Sequence, residues 1–152
     1  MSQAIQAIRT LGKIGPAAEP AIPVLVRLAE QEQSSWYVRR AVVEALQGIG
    51  VPANRALTTV LEFTQALAAR QLPAQIDALK STDPEVVQRA AEFLSSHAKM
   101  GVDTQAALPS LQNRLAEIRQ DAAKYDWRWA AARSTIEMAI LHITRQPAER
   151  RR

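Results

Sequence analysis

The sequence predicts an all-α chain in which helical hairpins repeat and stack as an α-α superhelix, and three observations predict it. Of 152 residues, 47% are hydrophobic, yet only seven are aromatic and five are glycine. Ala, Leu, Gln, Arg and Glu dominate instead, residues that lose little rotamer freedom in a helix. Next, one stretch of sequence recurs at a fixed offset. Lastly, apolar residues within each copy fall at i, i+3, i+4 and i+7, the spacing of one buried helix face, and a glycine closes the run.

The recurrence is clearest between the first two copies. Leu11, Ile14 and Gly15 return 35 residues later as Leu46, Ile49 and Gly50, and Ile22, Leu25, Val26 and Leu28 return as Leu57, Val60, Leu61 and Phe63. Each copy therefore reads as an A helix, a glycine stop and a B helix. The first repeat covers about residues 3–31, with Ala4, Ala7, Ile8 and Leu11 on its A helix and with Pro20 and Pro23 near the start of its B helix, where proline is tolerated. In the second repeat, about 35–70, the A-helix face is Val38, Ala41, Val42, Ala45, Leu46 and Ile49.

A third copy, about 83–123, places Ala107-Leu108-Pro109-Ser110-Leu111 on Ala21-Ile22-Pro23-Val24-Leu25 at an offset of 86. The glycines Gly50 and Gly101 lie 51 residues apart, so about 16 residues are inserted. Pro73 within that insertion, about 71–81, predicts a separate short helix at 73–80. Residues 126–146 repeat only an A helix, with Ile136, Ala139, Ile140 and Ile143 on its apolar face. Ser35, Asp83 and Asp126 precede A helices as N-caps. The whole reads as one repeat domain over 1–147, followed by a disordered basic tail at 148–152.

Val38-Arg39-Arg40-Ala41-Val42-Val43-Glu44-Ala45-Leu46-Gln47-Gly48-Ile49-Gly50, together with Ala21-Ile22-Pro23-Val24-Leu25, resembles the HEAT repeat, and more closely the bacterial HEAT-like repeats of the phycobilin-lyase type. The resemblance spans about residues 4–145 and departs at the insertion and at Ser95-Ser96-His97, where the usual Leu-Gly is missing and looser stacking is expected. It implies a scaffold without catalytic residues. It also implies that B helices line a concave surface, which makes Arg27, Glu30, Arg55, Thr59, Glu62, Gln65, Arg114 and Glu117 candidates for partner contact. Their mixed charge suits a protein or peptide better than a phosphate backbone.

Two clusters at the starts of A helices stand out. Trp36, Tyr37, Arg39 and Arg40 form one; Tyr125, Trp127, Arg128 and Trp129 form the other, and between them they hold every Trp and Tyr in the chain. Trp, Tyr and Arg carry much of the binding energy at protein interfaces, and Arg beside aromatics also stacks on bases. The opposing structural reading is that Trp36 and Trp129 fill gaps between repeats while Arg39 and Arg133 pair with neighbouring carboxylates.

The rest of the sequence narrows the chemistry. No cysteine is present, so there is no disulfide, thiolate metal site or thiol nucleophile. His97 and His142 have no metal-ligand spacing, and the chain carries no nucleophile-elbow or phosphate-cradling glycine motif. No cofactor and no catalytic activity are expected. The net charge is +4, and removing the three terminal arginines leaves +1, far from the basic stripe a polyanion binder needs. Neither a signal peptide nor a membrane span is legible, and a cytoplasmic location is expected.

These observations point first to a protein-interaction scaffold or adaptor. Nucleic-acid binding in the manner of HEAT-like DNA glycosylases is the second reading, and an accessory subunit of a chromophore lyase is a third, by resemblance alone. The first A helix starts close to Met1 and the last has no B helix after it, so either a longer parent protein or self-association through exposed ends is expected.

Overall fold

The computed structural model describes residues 3–31 and 35–145; the basic tail expected at 148–152 lies outside the described residues. Seven α-helices follow in order: α1 (Gln3–Ile14), α2 (Ile22–Glu30), α3 (Trp36–Ile49), α4 (Asn54–Ala78), α5 (Pro84–Lys99), α6 (Leu108–Gln120) and α7 (Ala130–Thr144). Short 3-10 turns at Gly15–Ala21, Val51–Ala53, Gln105–Ala107 and Trp127–Trp129 join them, and no strand occurs among the described residues. The chain divides into two compact units, Met1–Leu67 and Ala68–Arg152, with the boundary falling inside α4.

Burial follows the repeat. Leu25, Val60 and Leu111 are equivalent B-helix positions, and all three are buried. Removing a side chain of this size from water stabilises a fold by about 1.5–3 kcal/mol. On the A helices, Ile49 and Ile143 are likewise buried, whereas the equivalent Ile14 is exposed at the end of α1.

In the first unit, α1 packs on α3. The helices approach so closely that a Cβ on Gly48 would lie 2.4 Å from the Gly12 carbonyl oxygen, and one on Gly12 would lie 2.8 Å from the Ala45 Cα. Only hydrogen in place of a side chain permits that backbone contact. The stop after α3 has a different cause: Gly50 adopts φ 87° and ψ −141°, a region open essentially to glycine alone and not the left-handed helical cap that its position suggested.

In the second unit, α7 packs on α5 and along α6. Ser95-Ser96-His97 does not leave a gap in this seam. His97, at the position held by Leu46 in the preceding repeat, is buried; its Nδ1–H donates to the Phe93 carbonyl at 2.7 Å, and its ring stacks on the Phe93 ring. Ser95 Oγ and His142 Nδ1 share a 2.6 Å hydrogen bond from α5 to α7. Gln105 adds a bond from its side-chain amide to the Ile143 carbonyl at 3.0 Å.

The insertion corrects the sequence reading. No separate helix forms at 73–80; α4 runs unbroken through Pro73 to Ala78. Pro73 has no N–H for the Ala69 carbonyl and its ring crowds the preceding turn, but the residue is exposed and its neighbours Ala68, Ala69, Arg70, Gln71, Leu72 and Ala74 include strong helix formers. The helix ends instead on successive turn bonds from Leu79, Lys80 and Ser81 back to Ile76, Asp77 and Ala78, with Leu79 buried. Asp83 then caps α5, its Oδ1 accepting from the Glu85 N–H at 2.9 Å. Ser35 occupies the N-cap position of α3 with extended backbone, but its side chain makes no cap bond; its carbonyl accepts from Val38 and Arg39.

Candidate interaction surface

The aromatic cluster of the second unit is built by the connection from α6 to α7. Asp121 closes a turn, its side chain accepting from the Lys124 N–H and its carbonyl from the Tyr125 N–H. Asp126 then opens the Trp127–Trp129 turn, so α7 begins at Ala130 and not directly at the cap. Asp126 Oδ1 accepts from the Arg128 N–H at 3.1 Å and from Nε at 3.0 Å, while Oδ2 accepts from Nη2 at 2.9 Å. Those bonds from Arg128, made chiefly by its side chain, hold the Asp126 carboxyl below its usual range and raise the Arg128 guanidinium in return.

The turn exposes one of its two tryptophans and buries the other. Trp129 is buried and meets Tyr125 edge-on at 4.9 Å between ring centres. Trp127 is 81% exposed. Arg114 corrects the expectation of a surface-facing residue: its side chain is only 13% exposed and its guanidinium lies 5.0 Å from the Trp129 ring centre and 5.3 Å from that of Tyr125. Nη2 donates to the Ser81 carbonyl at 2.9 Å and Nη1 to Glu117 at 3.2 Å. Arg114 thus ties α6 to the turn before α5 and to the aromatic pair.

Beside Trp127 lies a groove of about 330 Å³ lined by Ile118, Arg119, Tyr125, Trp129 and Arg133 among others. Arg119 Nη2 and Arg133 Nε donate to the same Glu137 oxygen at 3.4 and 3.1 Å. Both guanidinium side chains remain about half exposed, at 54% and 53%.

The cluster of the first unit is arranged differently. Trp36 is half-buried and stacks on Tyr37, which is exposed, with ring centres 3.7 Å apart. Arg39 is buried, and desolvation lowers its guanidinium pKa. Arg40 pairs with Glu44 at 3.2 Å. Of the other candidates, Arg27, Glu30, Arg55, Thr59 and Glu62 are exposed on α2 and α4, and Glu117 is exposed on α6. Among the described residues, no group of three His, Asp or Glu side chains converges as metal ligands, and no helix is long and apolar enough to cross a membrane.

Residues 3–68 match the HEAT repeats family. That match takes in the first two HEAT repeats and ends where the second unit begins. The remaining helices continue the same all-α HEAT-like arrangement with the departures already described: the lengthened α4, and His97 where HEAT repeat two has Leu46. No curated protein and no solved structure matches the chain.

Sequence reasoning did not find the Arg119–Glu137 contact or the Ser95–His142 bond, whereas Arg133 pairs with Glu137 one turn away, the local kind of pairing the structural reading gave it. The first joins residues 18 positions apart and the second residues 47 apart, and neither spacing has a local signal.

Proposed function

We propose that the chain is a non-catalytic protein-interaction scaffold or adaptor, with the Trp127 edge as a principal contact. The observation that carries this reading is Trp127 itself: a large indole 81% exposed on a turn braced by hydrogen bonds between Asp126 and Arg128. An exposed aromatic on a hydrogen-bonded turn buries much apolar area on binding, with part of the backbone ordering beneath it already in place. HEAT repeats, which match residues 3–68, generally serve as protein-interaction scaffolds. Local pairing of arginines also favours a protein partner. Arg40, Arg89, Arg114, Arg119, Arg128 and Arg133 each have a carboxylate within 4 Å, so they do not form a bare basic stripe. The finer kinship to bacterial HEAT-like repeats of the phycobilin-lyase type and a cytoplasmic location belong to the same proposal.

The test is affinity capture from lysate of the source cells at about 150 mM salt, with and without nuclease. A defined protein that survives nuclease and is lost with Trp127→Ala and Tyr37→Ala supports the reading. Recovery of nucleic acid alone refutes it. Trp129 is unsuitable as a surface probe because its indole is part of the core.

A further inference from the structure

We propose that the groove beside Trp127 docks an acidic segment of a partner protein, one carboxylate seating between Arg119 and Arg133 and an adjacent apolar side chain resting on Trp127 and Ile118. This rests on the protein-interaction reading and names the chemistry of the partner.

The charge arrangement selects the occupant. Two guanidiniums share a single oxygen of Glu137, and Asp126, which also lines the groove, is matched by its own pair with Arg128, so three positive charges meet two negative ones here. Arg119 uses Nη2 for that contact and Arg133 uses Nε, which leaves further N–H donors on each fork. A guanidinium fork matches the planar geometry of a carboxylate, and charge-assisted bonds of this kind are about twice as strong as neutral ones. One incoming carboxylate balances the residual charge. A nucleic-acid strand fits less well, because its phosphates would meet Asp126, which lines the groove, and Glu137, which the two arginines already hold.

The apolar half of the site has its own selection. Ile118 and Trp129 line it as buried side chains and Trp127 as an exposed one, so the groove joins apolar surface, an exposed indole and two cations. At about 330 Å³ it lies at the small end of the range for binding pockets, room for one or two side chains. An acid next to Leu, Ile, Phe or Trp satisfies both ends at once.

The experiment is selection of a displayed random peptide library on the full chain at about 150 mM salt, followed by fluorescence polarisation of a labelled enriched peptide. Enriched peptides are expected to carry Asp or Glu within two residues of a large apolar side chain. Arg119→Gln and Arg133→Gln should each weaken binding about tenfold, and replacing the peptide acid by its amide should cause a similar loss that does not add to the arginine losses. Trp127→Ala should weaken it comparably. Unchanged melting temperatures are expected for these variants, since all three side chains are at least half exposed.

Enriched peptides without an acid, or binding that both arginine variants retain, overturns the proposal. If the peptides bind but ignore Trp127 and both arginines, this proposal falls together with the Trp127 edge as a contact, and only the general scaffold reading stands. If no peptide enriches while a labelled single-stranded oligonucleotide binds with steep salt dependence, both fall.

Discussion

A methyl group on Gly48 would stand 2.4 Å from the Gly12 carbonyl oxygen. Carbon and carbonyl oxygen approach no nearer than about 3.3 Å in ordinary packing, so α1 would have to retreat from α3 by about 0.9 Å. Both offending atoms are close to backbone, and no rotamer change relieves them. On helix propensity alone Gly48→Ala should stabilise by about 1 kcal/mol, since Gly48 lies within α3. Overpacking a close contact typically costs about 1–3 kcal/mol before that gain is subtracted. The expected net effect therefore runs from no change to a loss of about 2 kcal/mol, where propensity alone predicts a gain. Urea unfolding followed by circular dichroism reads the midpoint, and amide exchange reads whether α1 and α3 lose protection first. Gln47→Ala, exposed on the same helix, is the control and should change stability by no more than about 0.5 kcal/mol. A Gly48→Ala protein with a raised midpoint and unchanged protection in α1 would refute the close-contact account.

Other substitutions separate further causes. Gly50→Ala has open space around the new methyl group, yet its φ of 87° and ψ of −141° should cost about 1–3 kcal/mol in the same urea assay. Arg114→Lys keeps the charge but loses the fork and the ring stacking; a drop in stability of about 1–2 kcal/mol is expected, with a changed near-ultraviolet signal from Tyr125 and Trp129. Asp126→Asn should lower the melting temperature near neutral pH and reduce acid sensitivity. The folded carboxyl titrates below its ordinary 3.8, so its contribution is present above that value and is lost as pH falls through the lower folded one. Melting temperatures of both proteins from about pH 6 to pH 2 check this, and parallel curves would contradict it.

The repeating frame was legible because helix packing leaves a periodic trace. Leu11 and Leu46, or Leu25, Val60 and Leu111, recur at fixed offsets because each meets the same kind of neighbour. Pro73 misled for an equally physical reason. A breaker rule weighs the missing N–H and the ring, but whether a helix bends or stops depends on which way the ring faces and on the residues around it. For Trp127 and Trp129, the sequence offered a packing role for Trp129 as one of two readings, but two tryptophans separated by one arginine carry no mark that decides which is core. Arg114 makes that decision from another helix, and only folding brings it against Tyr125 and Trp129. Arg39 and Arg114 likewise show that arginine in this repeat is not always a surface residue.

The two seams between A helices impose different terms on exchange of parts. Where α1 meets α3, complementarity is written into the backbone, and any inserted hairpin must bring glycine at both contact points. Where α5 meets α7, it is written into a hydroxyl and an imidazole, and a hairpin borrowed from the other unit would set the longer, charged Glu44 or Arg9 where Ser95 meets His142. Chimeras assembled by swapping hairpins should therefore fold when a seam moves as an intact pair of helices, and fail when the graft boundary runs through it.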